Sequence, residues 1–142
     1  MNAETQVQVT RVLRAQIQDV FAAWTDPKLM SRWFFPVETW TASVECNLVV
    51  GGRYTVTMHM ENDETTVLTG VYQEIAPPNR LAFTWSSHAI LNTLVTVVLR
   101  DLGGSTELTL THERLVEARA RELTSSGWTG CLASLERYLA AV

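Results

Sequence analysis

The sequence predicts an α+β domain in which one curved antiparallel sheet of about seven strands wraps around a long C-terminal helix. Three observations predict it. Apolar and polar residues alternate for about seventy residues after Pro36, a helical spacing precedes that stretch, and apolar residues recur in steps of four near the C-terminus. The connections between strands are too short for parallel crossovers. Because the chain has 142 residues, we expect a single domain over residues 1–142.

The N-terminal part predicts one strand and two helices. Gln6–Leu13 alternates, with Val7 and Val9 on one face, and is typical of a strand. An amphipathic helix follows, with its apolar stripe at Ile17, Val20, Phe21 and Trp24. Asp26 before Pro27 is a suitable N-cap, so we expect a second short helix that continues through Trp33 and ends at Pro36.

Six further strands are predicted between Pro36 and Arg114, separated by turn residues. They are Thr39–Cys46, Arg53–Met60, Thr66–Ile75, Arg80–Ser86, Leu91–Arg100 and Thr106–Glu113. Alternation places one group of side chains on the buried face: Tyr54, Val56, Met58, Met60, Leu81, Phe83, Trp85, Val95, Val97, Leu99, Leu108, Leu110 and His112. The segment Thr69–Gln73 is ambiguous, because its apolar residues fall on both faces.

The C-terminal segment predicts a helix from about Val116 to Ala140, on the order of 35 Å long, which covers the buried face of the sheet. Its apolar stripe comprises Leu123, Gly127, Trp128, Cys131, Leu132, Leu135 and Leu139. Gly127 weakens this helix. Two interpretations of the glycine stay open: a close approach to the sheet, or room for a ligand.

Composition excludes several classes of function. The formal net charge is -4 and no run of basic residues occurs, so we expect no nucleic-acid partner. No apolar stretch approaches 18 residues, which predicts no membrane span, and the N-terminus lacks the pattern of a signal peptide. Cys46 and Cys131 are far apart and are expected to be reduced thiols, as in a cytoplasmic protein.

Several segments, in order along the chain, resemble the family named for the activator of the heat-shock protein 90 ATPase, within the START and Bet v 1-like (SRPBCC) superfamily. They are Val20–Pro27, Ser31–Trp33, Gly51–Tyr54, Thr69–Pro78, Arg80–Trp85, Thr106–Glu113 and Gly127-Trp128. The resemblance implies the helix-grip fold and a cavity for apolar molecules between sheet and helix. It also implies two alternatives: a module that interacts with a chaperone, and an enzyme similar to polyketide cyclases or aromatases with His112 as acid or base.

The residues themselves predict neither a metal site nor a cofactor. His59 is expected to face water, His88 lies in a loop, and no spacing typical of metal ligands occurs. We assign no catalytic residue, because His112 and Glu113 point to opposite faces of their strand and the chain lacks the G-x-S-x-G motif. His112 is interpreted first as a structural histidine at the edge of the core.

The leading hypothesis is a pocket protein without catalysis, a monomer or weak homodimer that binds a small hydrophobic or amphipathic molecule between sheet and helix. Trp85 and Trp128 are expected to face each other across that space, each with one N–H donor. The predicted ligand-binding residues are Met58, Met60, Phe83, Trp85, Val97, Leu110, His112, Trp128 and Leu132.

Overall fold

The computed structural model describes residues 5–88 and 90–142, and within them it contains the seven strands and the long C-terminal helix that the sequence predicts. The strands are β1 Val7–Leu13, β2 Thr41–Cys46, β3 Arg53–His59, β4 Thr65–Ala76, β5 Arg80–Trp85, β6 Thr93–Asp101 and β7 Thr106–Glu113. The helices are α1 Ile17–Thr25, α2 Pro27–Met30 and α3 Ala118–Ala141. The predicted fold class is therefore confirmed.

The sheet has the strand order β1-β7-β6-β5-β4-β3-β2, and every neighbouring pair is antiparallel. Strands β2 to β7 follow one another as hairpins, and β1 closes the far edge by pairing with β7. Helices α1 and α2 lie in the connection between the two edge strands. The register places Val95 opposite His112, and Val97 opposite Leu110, as the predicted common face requires.

The two N-terminal helices start as predicted, and the second is shorter. Ile17, Val20 and Trp24 of α1 are buried. The side chain of Asp26 caps α2 by accepting a hydrogen bond from the backbone N–H of Lys28 at 2.9 Å. The helix ends at Met30 and does not continue through Trp33. The following turn buries Trp33, whose indole N–H donates to the carbonyl of Ala23 at 2.9 Å and so fixes the turn against α1.

Strand β1 begins one residue later than predicted, at Val7, and two other strands begin two residues later. β2 starts at Thr41 and not at Thr39, because the backbone N–H of Trp40 closes a turn onto the carbonyl of Val37. β6 starts at Thr93 and not at Leu91, because Asn92 has a φ of 54°, in the left-handed region that interrupts an extended strand.

Strand β4 has an irregularity at the end of the ambiguous segment Thr69–Gln73. Leu68 and Tyr72 are both buried, and the pairing with β5 shifts register between Tyr72 and Glu74. The bulge changes which face the following residues occupy, so Ile75 also packs against the core. At Gly70 an added Cβ would meet the carbonyl oxygen of Thr84 and the ring of Tyr54, so only glycine fits there.

Helix α3 has two halves with different packing. From Trp128 onward its inner face is buried in the core, through Trp128, Cys131, Leu132, Ser134, Leu135 and Leu139. Between Ala118 and Gly127 it has no buried residue, and Leu123, the first member of the predicted stripe, is 56% exposed. The C-terminal half therefore anchors the helix, and the N-terminal half projects over a space that core residues do not fill. Among the described helices, none is both long and apolar enough to cross a membrane.

Candidate functional site

A cavity of about 390 Å³ lies between the N-terminal half of α3 and one end of the sheet. Its sheet side is formed by the end of β3, the start of β4 and the end of β5, which the antiparallel pairing brings to the same end of the sheet. The described lining residues are Pro36, Trp40, Met58, Thr66, Leu68, Trp85, Ser87, Ile90, Glu117, Arg119, Ala120, Leu123, Thr124, Gly127, Trp128 and Cys131. Most of these side chains are apolar, so the cavity suits an apolar guest.

Aromatic rings form the inner wall of this cavity. The ring centroids of Trp85 and Trp128 are 5.0 Å apart, and Phe34 stacks on Trp85 at 6.0 Å. Trp24 lies behind Trp128, with 6.0 Å between their centroids. Such ring pairs add about 0.5–1.5 kcal/mol each beyond the burial of their surface. The wall is therefore a rigid part of the core and not a set of loose side chains.

A chain of hydrogen bonds fixes this wall from behind. The indole N–H of Trp128 donates to Nδ1 of His112 at 3.0 Å. On the other side of the imidazole, Nε2 lies 2.7 Å from the hydroxyl of Thr93, and that hydroxyl donates to the backbone carbonyl of Trp85 at 2.7 Å. Because Thr93 gives its proton to the carbonyl, it accepts one from His112, so the proton of the neutral imidazole is on Nε2.

These contacts make His112 a structural residue of the wall. The side chain is fully buried, and burial lowers its pKa to about 4. Both ring nitrogens are occupied, one as acceptor and one as donor. The imidazole therefore has no lone pair available for a proton from a ligand, which weighs against a cyclase-like or aromatase-like role with His112 as acid or base.

Three of the nine predicted ligand-binding residues line the cavity: Met58, Trp85 and Trp128. The other six lie outside its lining. Val97, Leu110 and Leu132 are core residues almost without exposure. His112 lies behind the tryptophans. Phe83 lines a second, small void with Tyr54 and Tyr72. Met60 follows the end of β3, where its backbone N–H bonds to the carbonyl of Glu64.

The cavity also uses residues that the sequence reasoning did not place in a site. Trp40 and Pro36 come from the segment before β2, and Ile90 comes from the connection between β5 and β6. Alternation cannot position residues of a loop. Leu123 and Gly127 could have been found from the sequence, since both lie on the predicted apolar stripe of α3.

Charged groups are confined to the rim. Glu117 and Arg119, at the start of α3, are exposed, and Arg119 pairs with Glu122 at 3.4 Å. Cys131 is the third ionisable residue among the described lining residues, and burial raises the pKa of its thiol, so it is protonated. Within the described part of the chain, no group of three or more His, Cys, Asp or Glu side chains is placed to hold a metal ion.

A family model described as "Activator of Hsp90 ATPase homolog 1-like protein" matches residues 14–140. The chain belongs to this family. This confirms the family that the sequence segments resemble. The fold is the helix-grip fold of the START and Bet v 1-like (SRPBCC) superfamily.

Solved structures support the fold of this chain. A Rhodobacter sphaeroides protein is 26% identical, with a TM-score of 0.84 and coverage of 100% of this chain and 97% of its own. A Chromobacterium violaceum protein is 24% identical, with a TM-score of 0.86 and coverages of 95% and 96%. An AHSA1-like protein from Aeromonas hydrophila is 24% identical, with a TM-score of 0.79 and coverages of 95% and 93%. The comparison with curated proteins gave no match.

Proposed function

We propose that this protein binds a small, mainly apolar and uncharged molecule with a flat ring system in the cavity beneath the N-terminal half of α3. The observation that supports this most directly is the pair of tryptophans, Trp85 and Trp128, side by side in the wall of an unfilled space of about 390 Å³. Sites for small molecules commonly measure about 300–1,000 Å³ and are lined mainly by apolar and aromatic side chains.

The arrangement of polar groups favours an uncharged ligand. The charged lining residues, Glu117 and Arg119, are exposed at the rim, so an ionised group deeper inside would lose its hydration without gaining a partner of opposite charge. Thr66, Thr124 and Trp85 are lining residues, and a hydroxyl or an indole N–H is the kind of group that can donate to an oxygen of the ligand. A carbonyl or ether oxygen on a ring system fits these donors.

A fluorescence titration with N-phenylnaphthylamine, a neutral aromatic probe, tests the proposal. We expect saturable binding with energy transfer from tryptophan to the probe. Leu123→Gln puts a polar side chain at the cavity mouth, at a position 56% exposed, and is expected to weaken binding several-fold while the protein stays folded. Trp85→Ala removes part of the aromatic wall and should weaken binding more strongly.

Val98→Gln is the matched control. Val98 is 37% exposed and is not a lining residue, so the same change from apolar to polar should leave the titration unchanged. Unsaturable binding, or equal weakening by Leu123→Gln and Val98→Gln, would show that the probe adheres to the surface and that the proposal is wrong. Native mass spectrometry of freshly purified protein then identifies any molecule that is retained.

A further inference from the structure

Gly127 lies in the middle of α3, where the backbone conformation does not require a glycine. Its φ is not in the left-handed region, and a helix interior is a position that any residue except proline occupies more favourably than glycine. Close packing does not require it either. A Cβ added to Gly127 would meet no atom within 4 Å. Of the two interpretations that the sequence leaves open, the close approach is therefore wrong for this residue.

The open space beside Gly127 belongs to the cavity. Gly127 is one of the lining residues and is only partly exposed, so an added side chain would enter the cavity. Cys131 and Leu123, one turn away on either side, line the same space. The missing side chain thus leaves open the part of the cavity next to Trp128.

Gly130, one turn away on the same helix, is a glycine that close packing does require. A Cβ there would collide with the carbonyl oxygen of Pro36. Gly130 lets the helix approach the segment before β2, while Gly127 contacts nothing that would exclude a side chain. Close packing therefore explains the glycine at position 130 but not the glycine at position 127.

We propose that Gly127 determines the ligand specificity of this cavity: its absent side chain leaves room for a ligand of more than two rings, and any larger residue there would shorten the ligand that fits. This rests on the proposed function, because it concerns the same cavity. It predicts that stability and binding change in opposite directions when Gly127 is replaced, which no packing role would produce.

The test compares Gly127→Ala and Gly127→Leu with the unchanged protein, using two neutral probes of different size, N-phenylnaphthylamine with three rings and naphthalene with two. Gly127→Ala should raise the melting temperature by about 3–5 °C, because alanine favours the helix. It should also weaken N-phenylnaphthylamine binding a few-fold. Gly127→Leu should weaken that binding by roughly tenfold or more. It should weaken naphthalene binding clearly less, because the leucine side chain occupies only part of the cavity and leaves room for the smaller probe.

Two controls separate helix propensity from cavity filling. Ser126→Ala, at an exposed neighbouring position, should raise the melting temperature slightly and leave both affinities unchanged. Gly130→Ala should lower the melting temperature, because Pro36 occupies the space.

The results distinguish the two proposals. If the unchanged protein binds neither probe saturably, the proposed function fails and the role of Gly127 fails with it. If it binds them but Gly127→Leu weakens both equally or neither, only the role of Gly127 is wrong. A lower melting temperature for Gly127→Ala would likewise contradict it, and that result stands even where Gly127→Leu does not fold.

Discussion

The indole N–H of Trp128 on α3 donates a hydrogen bond to Nδ1 of His112 on β7, at a distance of 3.0 Å. Both side chains are buried. This bond joins the helix to the sheet directly behind the cavity. It satisfies two polar groups whose burial without partners would cost about 1–3 kcal/mol each. The cavity wall consequently depends on a histidine that does not itself reach the cavity.

Replacing His112 with Gln should therefore affect stability more than binding. Glutamine keeps one of the two hydrogen bonds, so we expect the free energy of unfolding to fall by about 1–2 kcal/mol in urea denaturation. Affinity for N-phenylnaphthylamine should stay within a few-fold, because Trp85 and Trp128 remain. A folded His112→Gln protein that no longer binds the probe would instead place His112 in the ligand site.

The stability of the protein should depend on pH through His112. Its pKa is lowered to about 4 by burial, below the ordinary value of 6.5 that applies to the unfolded chain. Between these values the unfolded state binds the proton and the folded state does not. Stability therefore falls as pH decreases from about 6.5 to about 4, by roughly 3 kcal/mol from this residue.

Urea denaturation at pH 7, 5 and 4 measures this dependence. The His112→Gln variant is the reference, because it keeps every other titrating group and lacks the imidazole. We expect the loss of stability between pH 7 and pH 4 to be smaller in the variant. Parallel curves for the two proteins would show that the pKa of His112 is the same in the folded and unfolded states, and that its burial does not disfavour the charge.

Alternation along the strands was enough to predict the sheet and the direction of His112. Val97 and Leu110 share its face, and the pairing confirms that relationship. Alternation has a period of two and is blind to an inserted residue, so the bulge after Tyr72 could not be read from the sequence.

The sequence pattern also could not predict where along the sheet the cavity lies. Leu110 and Met58 both alternate as buried residues, yet Met58 lines the cavity and Leu110 does not. Burial pattern defines a face, whereas a void depends on where the helix stops packing. Trp40 was missed for a related reason, since the turn that places it precedes β2.

The family description raises the question of chaperone activation. We expect no large stimulation of the heat-shock protein 90 ATPase by this chain at micromolar concentration, because a protein of net charge -4 with scattered arginines offers weak electrostatic steering toward a partner. A purified assay with the cognate chaperone, and an established activator as positive control, measures it. Clear stimulation would favour the chaperone module over the pocket protein.

Two leucines of α3 allow the two halves of the helix to be compared. Leu135 is fully buried, and Leu123 is 56% exposed over the cavity. Leu135→Ala should lower the free energy of unfolding by about 2–5 kcal/mol, the cost of a cavity in a packed core. Leu123→Ala removes the same atoms from a position that is more than half exposed, so its effect should be within about 0.5 kcal/mol.

Urea denaturation of both variants, under one set of conditions, gives the two free energies. Since the substitution is identical and both sites lie in one helix, helix propensity cancels between them and the difference reports tertiary packing alone. Similar losses at Leu123 and Leu135 would mean that the N-terminal half of α3 packs as tightly as the C-terminal half. The space beneath it would then be filled in solution, which would contradict an open cavity.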